Sequence, residues 1–127
     1  MTDETLEIVV LAELKAKPDA DAAEIDKAIA DWVEWVRENE QGTLIYSAHR
    51  SKRDPTKIVF YEAYRRQDAL DAHSQSSAFK EFGRKIINYI DPSATKIEQF
   101  SLIAGVTGIT ERTVDSPSMP EEVPPRD

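Results

Sequence analysis

Cysteine is absent from this chain, glycine occurs only four times in 127 residues, and there are only two histidines. The lack of cysteine excludes disulfides, iron–sulfur clusters and thiolate zinc sites, and it fits a reducing compartment. There is no glycine-rich phosphate loop and no nucleophile elbow. His49 and His73 have no spacing that argues for a metal, and nothing supports a flavin or nicotinamide, so no cofactor is expected. A long hydrophobic run is also missing. The first apolar stretch, Leu6 to Leu14, follows the acidic start Met1-Thr2-Asp3-Glu4 and suits neither a signal peptide nor a membrane span. A cytoplasmic protein without a membrane partner is expected. The net charge of −8 repels phosphate backbones and argues against nucleic acid as a partner.

What is present, 40% apolar and 31% charged residues, describes a soluble globular domain. Leu6 to Leu14 reads as a strand that is apolar on both faces, so both faces need cover. Asp21-Ala22-Ala23-Glu24 has the form of a capping box, and a helix is expected from there to about Asn39. Its stripe is Ile25, Ala28, Ile29, Trp32 and Val36, with Trp35 at the edge. Gly42 suits the position just past the helix end. Thr43–Arg50 forms a second strand, with Leu44, Tyr46 and Ala48 on one face and Ile45, Ser47 and His49 on the other. Ser51–Thr56 is turn chemistry, which makes the next strand a hairpin partner. That strand places Ile58, Phe60, Glu62 and Tyr64 on one face. A short helix over Asp68–His73 is broken and recapped at Ser74-Gln75-Ser76, and a further helix runs from Ser77 to Tyr89. Phe79, Phe82, Ile86 and Ile90 form its buried stripe. Asp91-Pro92 stops it, Thr95–Ala104 gives a fourth strand, and Gly105–Thr110 is a further short strand or an arm.

The order β-α-β-β-α-β specifies a ferredoxin-like α+β fold, with a four-stranded antiparallel sheet and both helices on one face. Residues 1–110 form the domain. Residues 111–127 hold four of the seven prolines and read as an acidic tail, disordered or loosely docked. A second copy packed face to face would cover the bare side of the sheet, so a homodimer is expected.

Chemistry concentrates between Ile58 and Phe82. His73 ends a short helix, either as a general base at the mouth of a pocket or as a structural histidine at a helix end. Glu62 lies in an otherwise apolar strand; burial would raise its pKa, although an ion pair with Arg65, Arg66 or a lysine is the simpler expectation. The aromatic residues read by default as core or interface, and Arg50, Lys52 and Arg53 as a solvated hairpin tip.

Glu40-x-Gly42-x-x-x-Tyr46, Asp54-Pro55, Phe60-x-Glu62-x-Tyr64 and Ala69-Leu70-x-x-His73-x-x-Ser76-x-x-Phe79-x-x-Phe82 together resemble the antibiotic biosynthesis monooxygenase (ABM) domain, over about residues 5–104. The resemblance implies a dimeric α/β barrel, with a cavity between sheet and helices in each subunit. It also implies a cofactor-independent monooxygenase that brings dioxygen to an aromatic, quinol-like or anthrone-like molecule. His73 is then the catalytic candidate. Tyr46, His49, Glu62, Tyr64, Trp32, Phe79 and Phe82 are the candidates to bind the substrate, and alternation lets at most one of Tyr46 and His49 enter a given cavity. Haem-degrading members of the fold carry a tryptophan where His73 stands and a first-strand asparagine that is missing here. The alternatives are a non-catalytic small-molecule-binding or stress-related dimer, and an isomerase.

Overall fold

The strands pair because their apolar residues alternate, and the helices pack because theirs recur every three to four positions. The computed structural model describes residues 7–105. Its elements are β1 (Ile8–Lys15), α1 (Ala22–Asn39), β2 (Thr43–Arg50), β3 (Lys57–Tyr64), α2 (Gln67–Gln75), α3 (Ser77–Ile86), a 3-10 turn at Pro92–Ala94 and β4 (Lys96–Ser101). They form one antiparallel sheet in the order β2-β3-β1-β4. This is the ferredoxin-like arrangement expected, with the second helical segment in two pieces. Among the described residues no helix is long and apolar enough to cross a membrane.

The core lies between the sheet and the helices. Ala12, Leu14, Ile58 and Phe60 from the strands meet Ile25, Ala28, Ile29, Trp32, Val36 and Ile86 from the helices. Every residue of the expected α1 stripe is buried. The Asp21 carboxylate accepts from the Ala23 amide at 2.9 Å and so caps that helix. Ser76 closes α2 and opens α3, its hydroxyl accepting from the Phe79 amide at 3.0 Å.

Among the described residues nothing covers the opposite face. Leu11 pairs with Tyr61, and Val9 with Phe100, which places the side chains of all four away from the helices. Leu11, Tyr61 and Phe100 are each nearly two-fifths exposed there (38%, 38% and 39%).

Three expectations need correction. The last helix stops at Ile86, not Tyr89, because the chain must turn to bring Ile90 beside Ala16 and the Tyr89 carbonyl to the Lys17 amide at 2.9 Å. The fourth strand covers Lys96–Ser101 only, ending where Ser101 meets Ile8 at the start of β1. Gly42 is not a left-handed cap, since no described glycine has a positive φ. It is there for space: a Cβ at Gly42 would lie 2.6 Å from Ala69 Cβ on α2. The arm at Gly105–Thr110 falls beyond the described residues from position 106 on, as does the tail at 111–127.

Gly42→Ala should therefore destabilise the protein by about 1–3 kcal/mol, the usual cost of overpacking against an immovable neighbour. Gly83 lies within α3 with nothing within 4 Å of an added Cβ, so Gly83→Ala should stabilise by about 0.4–1 kcal/mol. Urea unfolding midpoints for the two variants should move in opposite directions; a midpoint for Gly42→Ala at or above wild type would refute the steric account.

Candidate functional site

Three elements converge on one carboxylate. Glu40 follows the last turn of α1, where its backbone amide donates to the Val36 carbonyl. Its Oε1 accepts from the Thr43 hydroxyl at the start of β2, at 2.7 Å. Both of its oxygens face His73 Nδ1, at 2.9 and 3.0 Å. A carboxylate can only accept, so the proton of this contact belongs to Nδ1. The neutral imidazole then has its lone pair on Nε2, which makes no hydrogen bond among the described residues. His73 is 3% exposed.

Aromatic rings enclose that imidazole. Phe79, Tyr46, Tyr64 and Trp32 have centroids 5.1, 5.2, 5.3 and 5.5 Å from it. Trp32 is fixed in turn: it stacks between Phe82 at 5.1 Å and Trp35 at 5.7 Å, both at 7°, and its Nε1 donates to the Tyr46 hydroxyl at 2.8 Å. Such contacts each contribute about 0.5–1.5 kcal/mol beyond area burial. They hold the ring orientations that a proton acceptor needs.

Glu62 lies on the same face of the sheet, buried, between Val10 on β1 and Tyr46 on β2. The expected ion pair is not made. Arg65 and Arg66 lie past the end of β3, and Arg66 pairs with Asp68. The partner of Glu62 is the Tyr64 hydroxyl, which donates to Oε1 at 2.6 Å. Burial pushes the Glu62 carboxyl up to about 7; the Tyr64 bond opposes this and the Glu40 charge adds to it. Burial, and then the Glu62 charge, also raise the phenols of Tyr46 and Tyr64 above their ordinary value. Both phenols therefore hold their protons tightly, while the Glu62 carboxyl is brought to about 7.

A cavity of roughly 230 Å³ opens between sheet and helices, with Val10, Phe60, Leu70, Phe79 and Ile97 among its walls and Glu62 and His73 both facing it. Among the described residues no lysine or arginine lines it. Of the residues expected from sequence, Tyr46, Glu62, His73, Phe79 and Phe82 line this cavity, while Tyr64 and Trp32 support it from behind. His49 does not reach it. It lies on the other face of the sheet, exposed, with Nε2 2.9 Å from the Ser47 hydroxyl. A wider groove of roughly 580 Å³ between α1 and β2 includes His49, but its charges are engaged with one another, Arg50 with Asp26 and Arg37 with Glu34. Sequence reasoning missed the role of Glu40 and Thr43. The only trace was Glu40 at the head of the Glu-x-Gly motif.

A family model described as antibiotic biosynthesis monooxygenase matches residues 7–85. A Caulobacter crescentus protein that carries that description provisionally is 33% identical, with a TM-score of 0.71 over 77% of this chain and 91% of its own. A Synechocystis protein, itself uncharacterised, is 33% identical over 78 residues, which is 61% of this chain. The chain spans about half (52%) of that curated relative's length. The fold is shared with SnoaB of Streptomyces nogalater, a cofactor-independent oxygenase, at a TM-score of 0.69 and 11% identity over 79% of this chain and 96% of that one.

The raised Glu62 pKa has a consequence for stability. Because the folded value, about 7, lies above the ordinary 4.5, the folded state binds the extra proton. The associated stability is fully present below about pH 4.5 and is lost as pH rises through about 7. At about 1.4 kcal/mol per pH unit, wild type should lose about 3 kcal/mol relative to Glu62→Gln across that window. Paired urea titrations at pH 4.5 and pH 8 measure this; a constant difference between the two proteins would show that Glu62 ionises normally.

Proposed function

Since the chain belongs to the antibiotic biosynthesis monooxygenase family, we propose that it is a cofactor-independent monooxygenase in which His73 removes a proton from an electron-rich aromatic substrate. One observation supports this: a buried imidazole that lines an aromatic-walled cavity, with Nδ1 held by Glu40 and Nε2 left without a hydrogen-bond partner among the described residues, as a general base requires. A phenol, quinol or anthrone that loses its proton there becomes an electron-rich anion able to give an electron to dioxygen. The protein need only bind the substrate, accept the proton and exclude water. At roughly 230 Å³ the cavity is smaller than drug-sized pockets, about 300–1,000 Å³. That size favours one- and two-ring quinols over extended polycycles. Glu40 acts through His73, so it is a positioning residue, and Thr43 steadies Glu40. The fold shared with SnoaB agrees with this reading.

The working unit we propose is a homodimer formed through the sheet face that carries Leu11, Tyr61 and Phe100. Leu11→Asp should shift the protein from dimer to monomer in sedimentation velocity. A wild type that sediments as a monomer at tens of micromolar would remove the dimer from the proposal.

Oxygen-electrode assays of metal-stripped protein with naphthols, quinols and anthrones test the chemistry. Oxygen uptake without added cofactor is expected. His73→Ala should lower it about 10²–10⁴-fold, the range of a lost general base, and Glu40→Gln less than that. Uptake no faster than autoxidation, with ligand still bound, would favour a binding dimer, and turnover without oxygen an isomerase.

A further inference from the structure

The base accounts for only half of the proton traffic that such a reaction requires. Adding dioxygen to a deprotonated carbon leaves a peroxide anion. That anion must be protonated before its O–O bond can break. A second group able to give and take a proton lets the imidazolium that the first step creates keep its charge beside the anion. Glu62 is placed for this. It is 5% exposed and faces the same cavity as His73. Tyr64 occupies its Oε1 at 2.6 Å, and Oε2 has no hydrogen-bond partner among the described residues. Among the described residues no lysine or arginine lies against it.

We propose that Glu62, oriented by Tyr64, is a second catalytic group that protonates the substrate peroxide and then accepts the proton from the substrate carbon. This rests on the oxygenase reading above, and the steps balance. His73 takes one proton from the reacting CH2 carbon, which the keto forms of naphthols and quinols also possess. Dioxygen accepts one electron from the resulting carbanion, and the radical pair recombines to a carbon–peroxide anion. The Glu62 acid gives that anion its proton. The Glu62 carboxylate then takes the remaining carbon proton, the carbonyl forms, and the O–O bond breaks. The departing hydroxide takes the proton held by His73 and leaves as water. One CH2 and one O2 yield one C=O and one H2O, and both residues return to their starting state without proton exchange with solvent.

The carboxyl must begin neutral. Burial raises its pKa to about 7, with the Glu40 charge adding to the effect and the Tyr64 bond opposing it. The groups that face it are Tyr64 on β3, Tyr46 on β2, His73 on α2 and Glu40 beyond α1. β1 contributes Val10, and β4 contributes Gln99 beside it, neither of them charged. Turnover should therefore fall as pH rises through about 7, when Glu62 gives up its proton.

The test uses the full-length protein and 1,4-dihydroxynaphthalene. Wild type should consume one O2 per 2-hydroxy-1,4-naphthoquinone formed, with no hydrogen peroxide above the enzyme-free background. Glu62→Gln is isosteric and keeps an acceptor for the Tyr64 hydroxyl. It should lower kcat at least tenfold, release peroxide, and lose the fall in rate near pH 7. Tyr64→Phe should keep the chemistry but shift that limb. Infrared spectra of 13C-glutamate-labelled protein give an answer independent of activity: one protonated carboxyl should persist above pH 6 in wild type and be missing in Glu62→Gln. A Glu62→Gln enzyme with wild-type kcat, pH profile and coupling would overturn the role of Glu62 alone, and so would a carboxyl fully ionised at pH 5.5. A wild type with no oxygen uptake would overturn the oxygenase reading together with it.

Discussion

The site depends on how closely α2 can approach the chain at Gly42. Only a residue without a Cβ leaves room there for Ala69. The same stretch of backbone is tied to the end of β3, since the Arg65 amide donates to the Gly42 carbonyl at 3.0 Å. Once α2 is seated, His73 in its last turn reaches Glu40 at the end of α1, and Thr43 at the start of β2 completes the group. One steric allowance thus places the base, its carboxylate and the hydroxyl behind it. The aromatic rings then fix the plane of the imidazole and keep water from competing for Nδ1.

Much of this was legible in the sequence, for reasons that are local. A period of two put Phe60, Glu62 and Tyr64 on one face and separated Tyr46 from His49. A period near 3.6 gave the α1 stripe, and Ser76 announced its own cap. The missed carboxylate of His73 is a long-range contact. Glu40 and His73 are 33 positions apart, and no periodicity connects a helix end to a residue that far along. Glu62 was expected to find a cation because Arg65 and Arg66 are near it in sequence. They lie past the end of the strand, where the chain has already turned into α2, whereas Tyr64 is on the same face. The last helix had the residues to continue beyond Ile86, but the contact of Ile90 with Ala16 stopped it. Tertiary pairing overrode propensity there.

The two faces of the sheet illustrate a division of labour. The helix-side face carries the buried titratable groups and the cavity. The other face carries Leu11, Tyr61 and Phe100, partly exposed and opposite no helix. A strand such as β1, apolar on both sides, is stable in water only if both sides are covered. The sequence pattern of β1 is thus the physical basis of the homodimer proposed above, on the same grounds that place the helices on the other side.

The charge distribution also constrains the chemistry. The chain is strongly acidic, and its cavity is faced by a carboxyl with no lysine or arginine beside it. Such a pocket has no fixed cation to hold phosphorylated or carboxylated ligands and admits neutral ones, which weighs against a phosphosugar as substrate. A neutral phenol or quinol enters without electrostatic cost. In the proposed reaction, the imidazolium formed when His73 takes a proton would be the one positive charge facing the cavity among the described residues, and it would appear as a substrate anion and then superoxide form next to it. In a site of low dielectric, a cation that exists only during the reaction stabilises those anions without having attracted competing ones beforehand. A permanent arginine in the same place would bind anions in the resting state.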